Sequence, residues 1–193
     1  MLQNSFPDLN VKSDINPFIF TEVKTPIGKT PFRDRVKTYL LADTKPWANL
    51  YLPHPKGYKF EPCFLRTQFK ELAYEFRSFK VRKDDIWILS FPKSGTTWTE
   101  NIIWQLKNGF NFSKEPLALN TGFLLEPDLV TADIDAVQKT EFEKLNNAIS
   151  PRVIKSHLPP HLLPVELWTV RPKIVYIARN PKDVAISLFH MLN

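Results

Sequence analysis

A short segment, FPKSGTTW at residues 91–98, combines the residue types that bind a phosphate group. Gly95 lets the backbone approach a ligand closely. Thr96 and Thr97 add hydroxyl donors, Lys93 adds a positive charge, and the unpaired N–H groups of a helix start would complete an anion site. The usual nucleotide-triphosphate loop has two glycines and ends in Gly-Lys-Ser/Thr, whereas here the lysine precedes a single glycine. The segment therefore predicts a phosphate site of a different kind.

Two further segments place a histidine and two cations where predicted strands end. Lys155 and His157 lie on one face of the segment KSH, because side chains alternate along a strand. A histidine at the carboxyl edge of a parallel sheet is suited to acid–base chemistry. Arg179 follows the segment KIVYIA and can form forked, charge-assisted bonds to phosphate, to which Ser187 could add a hydroxyl. In a parallel sheet, all of these groups would come to one edge.

Each of these features also has a purely structural explanation. The segment 91–98 could be an ordinary strand-to-helix turn with Trp98 in the core, although the flat indole could also stack on a base. Arg179 could be a surface residue, and Ser187 a helix-packing residue. A lone histidine is more often a turn residue without a catalytic role, and we assign the other histidines to that class: His54, His161 and His190. The convergence of three strand ends on one edge favours a functional site.

Three short apolar segments predict the strands that would position these groups. They are DDIWILSF, RVIKSH and KIVYIA, at residues 84–91, 152–157 and 173–178. A helix is predicted after the loop, from near Thr96 to Gly109. Glu100 is expected in its first turn, where the helix dipole favours a negative charge.

Two more helices are predicted from periodicity and capping. Apolar residues recur at helical spacing in FLRTQFKELAYEF and are expected in the core: Leu65, Phe69, Leu72, Ala73 and Phe76. The last helix begins with Asn180 as its N-cap, Pro181 at its first position and Asp183 in its first turn. Strands separated by helices predict an α/β fold with a central parallel sheet. Residues 1–60 show no sustained period, and we expect an irregular segment with at most one short helix.

The composition indicates one globular domain of 193 residues, 43% of them hydrophobic and 24% charged. The net charge of +6 fits an anionic partner such as a nucleotide, or simply a basic surface. No run of five like charges, RNA-binding signature or zinc-finger spacing occurs. Cys63 is the only cysteine, which excludes an internal disulfide and a cysteine-based metal site. Without a signal-peptide pattern in MLQNSFPDLNVKSD or a long apolar run, we expect a soluble intracellular protein.

Three segments together resemble the cytosolic sulfotransferases: FPKSGTTW, KSHLPPHLLP and IVYIARNPKDVAISLFH. These enzymes transfer a sulfuryl group from 3′-phosphoadenosine 5′-phosphosulfate (PAPS) to a hydroxyl or amine of a small molecule. The resemblance extends from about Arg66 to Asn193. It implies a P-loop-like three-layer α/β/α fold around a parallel sheet that is incomplete in this chain. It also divides the chain into an N-terminal segment, 1–60, and a partial sulfotransferase domain, 61–193.

The resemblance implies a donor site in two parts. Lys93 contacts the bridging oxygen of the phosphosulfate and stabilises the leaving phosphate. The 5′-phosphate is held by the residues that follow: Ser94, Gly95, Thr96 and Thr97. Trp98 stacks against the adenine, and Arg179 and Ser187 grip the 3′-phosphate.

The resemblance also implies the catalytic groups and the partners. His157 is the base that removes the acceptor's proton, Lys155 is a second cation at the transferring sulfonate, and no metal is required. The partner is a small-molecule acceptor (a phenol, alcohol, steroid or amine) rather than a nucleic acid or a membrane. A cytoplasmic location and a homodimer of the full-length form are also implied.

Members of this family are considerably longer than 193 residues, so we expect a fragment or a truncated form. Such a chain should leave one strand edge unpaired and apolar faces uncovered. A non-catalytic module that binds PAPS, its product or a full-length partner therefore remains an alternative. A P-loop kinase is disfavoured by the missing second glycine, and a nucleic-acid binder ranks last.

Overall fold

Two β-sheets organise the part of the chain that the structure describes. In this computed structural model, the described residues are 18–24, 38–45, 60–67, 69–111, 123–124 and 142–192. One sheet has three strands and the other has four. Within these ranges, every helix is too short or too polar to cross a lipid bilayer.

Three antiparallel strands form the first sheet, in the order β1 (Phe18–Lys24), β2 (Thr38–Thr44) and β3 (Cys63–Arg66). The prediction of an irregular segment over residues 1–60 was therefore wrong for β1 and β2. Leu40, Ala42 and Thr44 of β2 are buried, which is the two-residue period of a strand. Because Leu41, between Leu40 and Ala42, is also apolar, the sequence does not show this two-residue period. Apart from residues 45 and 60, the rest of the segment lies outside the described residues, and so does any short helix there.

Helix α1 (Phe69–Arg77) begins at Phe69 rather than at Leu65, so the predicted start was wrong. Leu65 belongs to β3 and pairs with Leu40 of β2, which is distant in sequence and therefore invisible to a local helical period. From Phe69 onward the predicted apolar stripe is confirmed as core: Phe69, Leu72, Ala73 and Phe76 are buried.

Four parallel strands form the second sheet: β4 (Ile86–Ser90), β5 (Phe123–Leu124), β6 (Val153–Ser156) and β7 (Lys173–Ile177). Their spatial order is β5-β6-β4-β7, and each neighbouring pair is parallel. The three predicted strands and the parallel sheet are confirmed, with slightly shorter strands. β5 was not predicted, because its two residues are too few to show a period.

Helices follow the strands of the parallel sheet. They are α2 (Thr96–Lys107), α3 (residues 142–147), a 3-10 turn (Pro160–Leu162), α4 (Glu166–Val170) and α5 (Pro181–Leu192). The backbone N–H of Lys182 donates to Asn180 Oδ1 at 3.0 Å. Asn180 is therefore confirmed as the N-cap of α5.

Apolar side chains cover both faces of the parallel sheet. On one face, Ile88 and Val153 pack with Ile103 of α2. On the other face, Trp87 and Ile154 join a larger core that contains α1 and residues of the antiparallel sheet. The central strand β4 is therefore enclosed between layers, as expected for an α/β fold.

Strand β7 forms one edge of the parallel sheet, and among the described residues it pairs with β4 alone. Tyr176 is 72% exposed, and Ile174 is exposed too. On α5, Ile186 and Phe189 also face solvent. Among the described residues, β7 therefore has one side without a strand partner, next to exposed apolar side chains.

Candidate functional site

The strand order brings the ends of β6, β4 and β7 together at the carboxyl edge of the parallel sheet, which we call the functional edge. Because β4 lies between β6 and β7 and all three are parallel, the loop at residues 91–95 is flanked on both sides. His157 follows β6 on one side, and Arg179 follows β7 on the other. The predicted loop, histidine and arginine therefore lie at the same edge.

The loop at residues 91–95 is a tight turn with two residues in the left-handed region. Lys93 has φ 67° and Gly95 has φ 110°. The N–H of Ser94 donates to the carbonyl of Phe91 at 3.2 Å, which closes the turn. A Cβ built on Gly95 would meet no atom within 4 Å, so the backbone angle, rather than lack of space, makes glycine favourable here. For Lys93 this conformation costs about 1–2 kcal/mol, which the surrounding structure must supply.

The loop side chains divide between the interior and the surface. Ser94 and Thr96 are buried, and the Thr96 hydroxyl lies 2.6 Å from the Ser90 hydroxyl. Thr97 is exposed, and Trp98 is 79% exposed, so its indole is not a core residue. The first turn of α2 therefore presents its backbone N–H groups between a buried threonine and two exposed side chains.

His157 is held against the end of β4 by its Nδ1 atom. Nδ1 lies 2.8 Å from the Ser90 carbonyl oxygen and 3.2 Å from the Ser90 hydroxyl. A carbonyl can only accept, so Nδ1 carries the proton, and in the neutral ring the lone pair is on Nε2. Burial lowers the pKa of His157 below its ordinary value of 6.5; the bond to Ser90 opposes this shift, and the charge of Lys155 adds to it. The ring is therefore neutral at pH 7 and able to accept a proton.

Lys155 makes an ion pair that the sequence analysis did not anticipate. Its Nζ lies 2.8 Å from Oε2 of Glu100, and the two side chains are 14% and 2% exposed. The prediction that Glu100 occupies the first turn of α2 was wrong, since the first turn contains no acidic residue. Glu100 instead faces inward to β6. The pair joins residues 55 positions apart, so no local pattern could have revealed it.

Arg179 lies on the other side of the loop, and Ser187 belongs to the helix that follows β7. Arg179 is exposed, and its Nη1 donates to the Lys93 carbonyl at 3.2 Å. Ser187 is half-buried on α5, two turns beyond Pro181. Arg179 thus links the end of β7 to the loop, and Ser187 lies on the helix that follows.

Ser90 is a residue of this site that the sequence analysis missed. It is the last residue of β4 and is buried, and it contacts both Thr96 and His157. A polar residue that ends an otherwise apolar strand, directly before the loop, is the signal that could have identified it.

Two of the other histidines lie in helical segments, and the third lies outside the described residues. His161 is buried beside Phe60, with ring centroids 4.9 Å apart. His190 is exposed on α5, and His54 lies outside the described residues.

Comparison with known proteins identifies the family of this chain. The family model described as "Sulfotransferase domain" matches residues 83–193, more than half of the chain. "Sulfotransferase 1E1" of Bos taurus is 38% identical over 127 residues, covering 65% of this chain and 41% of that protein. "Cytosolic sulfotransferase 1" of Danio rerio is 36% identical over 140 residues, covering 70% of this chain and 45% of that protein. The chain thus spans less than half the length of these curated relatives.

A solved structure has the same fold. It is described as retinol dehydratase in a complex with retinol and PAP, and it matches with a TM-score of 0.64. The match covers 91% of this chain and 55% of that chain at 22% sequence identity, and it shows a shared fold.

Proposed function

The chain belongs to the sulfotransferase domain family, and from this premise we propose that it transfers a sulfuryl group from PAPS to a small-molecule acceptor. The position of His157 carries the proposal. Its imidazole ring is neutral, accepts a proton at Nε2 and lies beside the loop at residues 91–95. A candidate base and a candidate anion site therefore share one edge of the sheet. The acceptor class, a hydroxyl or an amine, follows the resemblance.

The donor is proposed to lie across the loop, with its two phosphate groups at different elements. The 5′-phosphosulfate accepts hydrogen bonds from the N–H groups of the loop and of the first turn of α2, and Lys93 lies at its bridging oxygen. Arg179, placed beside the loop by its bond to the Lys93 carbonyl, takes the 3′-phosphate together with Ser187. Trp98, which is 79% exposed, is available to stack on the adenine.

In the proposed reaction, Nε2 of His157 removes the acceptor's proton as the acceptor oxygen or nitrogen attacks sulfur. The bond from sulfur to the bridging oxygen breaks, and the electron pair remains on the leaving 5′-phosphate. Lys93 stabilises the charge that develops on the bridging oxygen, and Lys155 that on the sulfonate oxygens. One preorganised donor of this kind is typically worth about 3 kcal/mol, and a positioned base roughly 100- to 10,000-fold.

We also propose that the protein acts in the cytoplasm on small apolar acceptors and that the full-length form can dimerise. The relative named cytosolic sulfotransferase supports the location. The acceptor proposal follows the resemblance, and exposed Phe189 on α5 is a candidate lining residue.

The test starts with thermal melts of the 193-residue chain with 3′-phosphoadenosine 5′-phosphate (PAP) or with ADP. PAP should raise the melting temperature and ADP should not, because only PAP carries the 3′-phosphate. Radiolabelled PAPS with phenol, alcohol and amine acceptors then measures turnover. The His157→Ala variant should lose turnover and keep the PAP shift, whereas His190→Ala, at an exposed histidine on α5, should behave as wild type.

The outcomes separate the hypotheses. A PAP-selective shift without turnover in the wild type would favour a non-catalytic binding module. The absence of any selective shift would overturn the donor site. Retained turnover in His157→Ala would remove His157 as the base.

A further inference from the structure

A buried ion pair lies at the candidate site, between α2 and β6. Glu100 is buried on the inner face of α2, and its Oε2 lies 2.8 Å from Nζ of Lys155. Both side chains are largely withdrawn from water, at 2% and 14% exposure. Because water no longer screens the two charges, the carboxylate fixes the position of the ammonium more firmly than a surface ion pair would.

Stability alone is a weak reason for such a pair. The desolvation of two charges offsets much of their attraction, and apolar residues of similar volume often stabilise a fold as well or better. The pair also lies at the functional edge: Lys155 precedes His157 by two residues, and its charge contributes to the lowered pKa of that histidine.

Two side chains on the inner face of α2, one turn apart, bond to residues of the parallel sheet. Thr96 bonds to Ser90, which holds His157, and Glu100, four residues on, bonds to Lys155. Residues four apart share one face of a helix. One face of α2 therefore contacts both Ser90, which holds His157, and Lys155 itself. This face begins at the helix start that follows the loop at residues 91–95.

We propose that Glu100 is a positioning residue that fixes the ammonium of Lys155 beside His157 at the place of the transferring sulfonate. The role rests on the proposed function, because it requires Lys155 to contact the sulfonate, the group that the donor PAPS has and the product PAP lacks. Glu100 itself does not contact the donor. It acts through Lys155.

The first test measures the position of Lys155 without any ligand. In ¹H–¹⁵N spectra of the lysine ammonium groups, Lys155 should give a slowly exchanging resonance, assigned by its loss in Lys155→Met. That resonance should disappear or exchange rapidly in Glu100→Gln. It should persist in Glu75→Gln, which removes an exposed carboxylate from α1. A Lys155 resonance that is unchanged in Glu100→Gln overturns the proposal.

The second test is a double-mutant cycle on affinity, measured by calorimetry without acceptor. Glu100→Gln and Lys155→Met should each weaken PAPS binding by about tenfold, the size expected for one charge-assisted bond, and leave PAP binding within about twofold. The double variant should lose no more than either single variant. Equal losses for PAPS and PAP, or additive losses, overturn the positioning role.

The two tests separate this inference from the proposed function. If the wild type binds neither nucleotide, the proposed function fails, and the ammonium spectra still decide whether Glu100 fixes Lys155. If Glu100→Gln does not fold, Glu100→Asp, which keeps the charge on a shorter side chain, should fold and show a more rapidly exchanging Lys155 ammonium. An unchanged resonance in that variant also overturns the proposal.

Discussion

The environment of His157 suits this residue to the proton-transfer step of the proposed reaction. Its Nδ1 proton is committed to the Ser90 carbonyl, so the ring presents the lone pair of Nε2 rather than a mixture of tautomers. Burial lowers its pKa, so the neutral form is maintained at pH 7. The proposed base is therefore in the protonation state that accepts the proton of an alcohol or phenol as attack proceeds.

Arg179 should distinguish nucleotides by their 3′-phosphate. Replacing Arg179 by alanine removes a charge-assisted contact worth about 1.5–3 kcal/mol, which is roughly 10- to 150-fold in affinity. We therefore expect Arg179→Ala to weaken PAP binding by that factor and to leave adenosine 5′-phosphate binding nearly unchanged, as measured by calorimetry.

The matched control for Arg179 is Lys173→Ala, in the strand that leads to Arg179. Lys173 begins β7, at the edge of the sheet opposite the site, so its loss changes the net charge equally without removing a site residue. If Arg179→Ala weakens both nucleotides equally, or if Lys173→Ala weakens PAP as much, the 3′-phosphate assignment is wrong.

Among the elements, α2 contacts both β6 and the residues just before it. Glu100 meets Lys155 near the functional edge, and Nζ of Lys107 donates to the Pro151 carbonyl at 2.7 Å near the opposite edge. Ile103 between them packs on the sheet. These contacts of Glu100, Ile103 and Lys107 therefore orient the start of α2, which follows the loop at residues 91–95.

A second buried ion pair joins β4 and β6 at the opposite edge. Arg152 places Nε and Nη2 at 2.8 and 2.6 Å from the two carboxylate oxygens of Asp85, and the two side chains are 1% and 0% exposed. Asp85→Asn would leave the arginine charge buried without a compensating charge. We expect a loss of about 3–5 kcal/mol in the free energy of unfolding, measured by urea denaturation.

Asp84 provides the control for this pair, because it is the adjacent residue and is exposed. Asp84→Asn should change the free energy of unfolding by less than about 0.5 kcal/mol. The double variant Asp85→Leu/Arg152→Met should recover much of the loss, since it removes both charges together. A loss in Asp85→Asn no larger than in Asp84→Asn would show that the pair does not stabilise the sheet.

The sequence could predict elements whose signals are local. β4 and β7 are apolar runs with clear ends, and the start of α5 has its cap and proline in consecutive positions, Asn180 and Pro181. The parallel sheet followed from the alternation of strands and helices. Because a parallel sheet places the ends of its strands together, the shared edge of Lys93, His157 and Arg179 was predictable as well.

The features that the sequence could not predict depend on distant partners. Leu65 fits a helical stripe, but it lies in β3 and pairs with Leu40 of β2. Glu100 fits a first-turn acid, yet its carboxylate meets Lys155 on another element. The carbonyl that fixes the tautomer of His157 is a backbone group of Ser90, which no side-chain pattern can indicate.

At the scale of the whole described molecule, one large core joins the two sheets. It contains Phe18 and Leu40 of the antiparallel sheet, Phe76 of α1, and Trp87 and Ile154 of the parallel sheet. The strand that leads to His157 therefore shares one hydrophobic core with the antiparallel sheet. Changes in that sheet should reach the functional edge through this shared packing.

His161 should make this junction between the sheets sensitive to acid. It is 2% exposed, its Nε2 lies 3.9 Å from Asp43 of β2, and burial lowers its pKa below 6.5 although Asp43 opposes the shift. Below about pH 6.5 the unfolded chain binds more protons than the folded one, so stability that is present above that pH is lost as the pH falls through the lowered pKa.

In thermal melts between pH 7.5 and 5, His161→Gln should therefore lose less stability than the wild type, while His190→Gln, on the exposed face of α5, should match the wild type. Some acid dependence should remain in His161→Gln, because the pKa of His157 is lowered as well. An acid-induced loss in His161→Gln as large as that of the wild type would contradict the role of His161 at this junction.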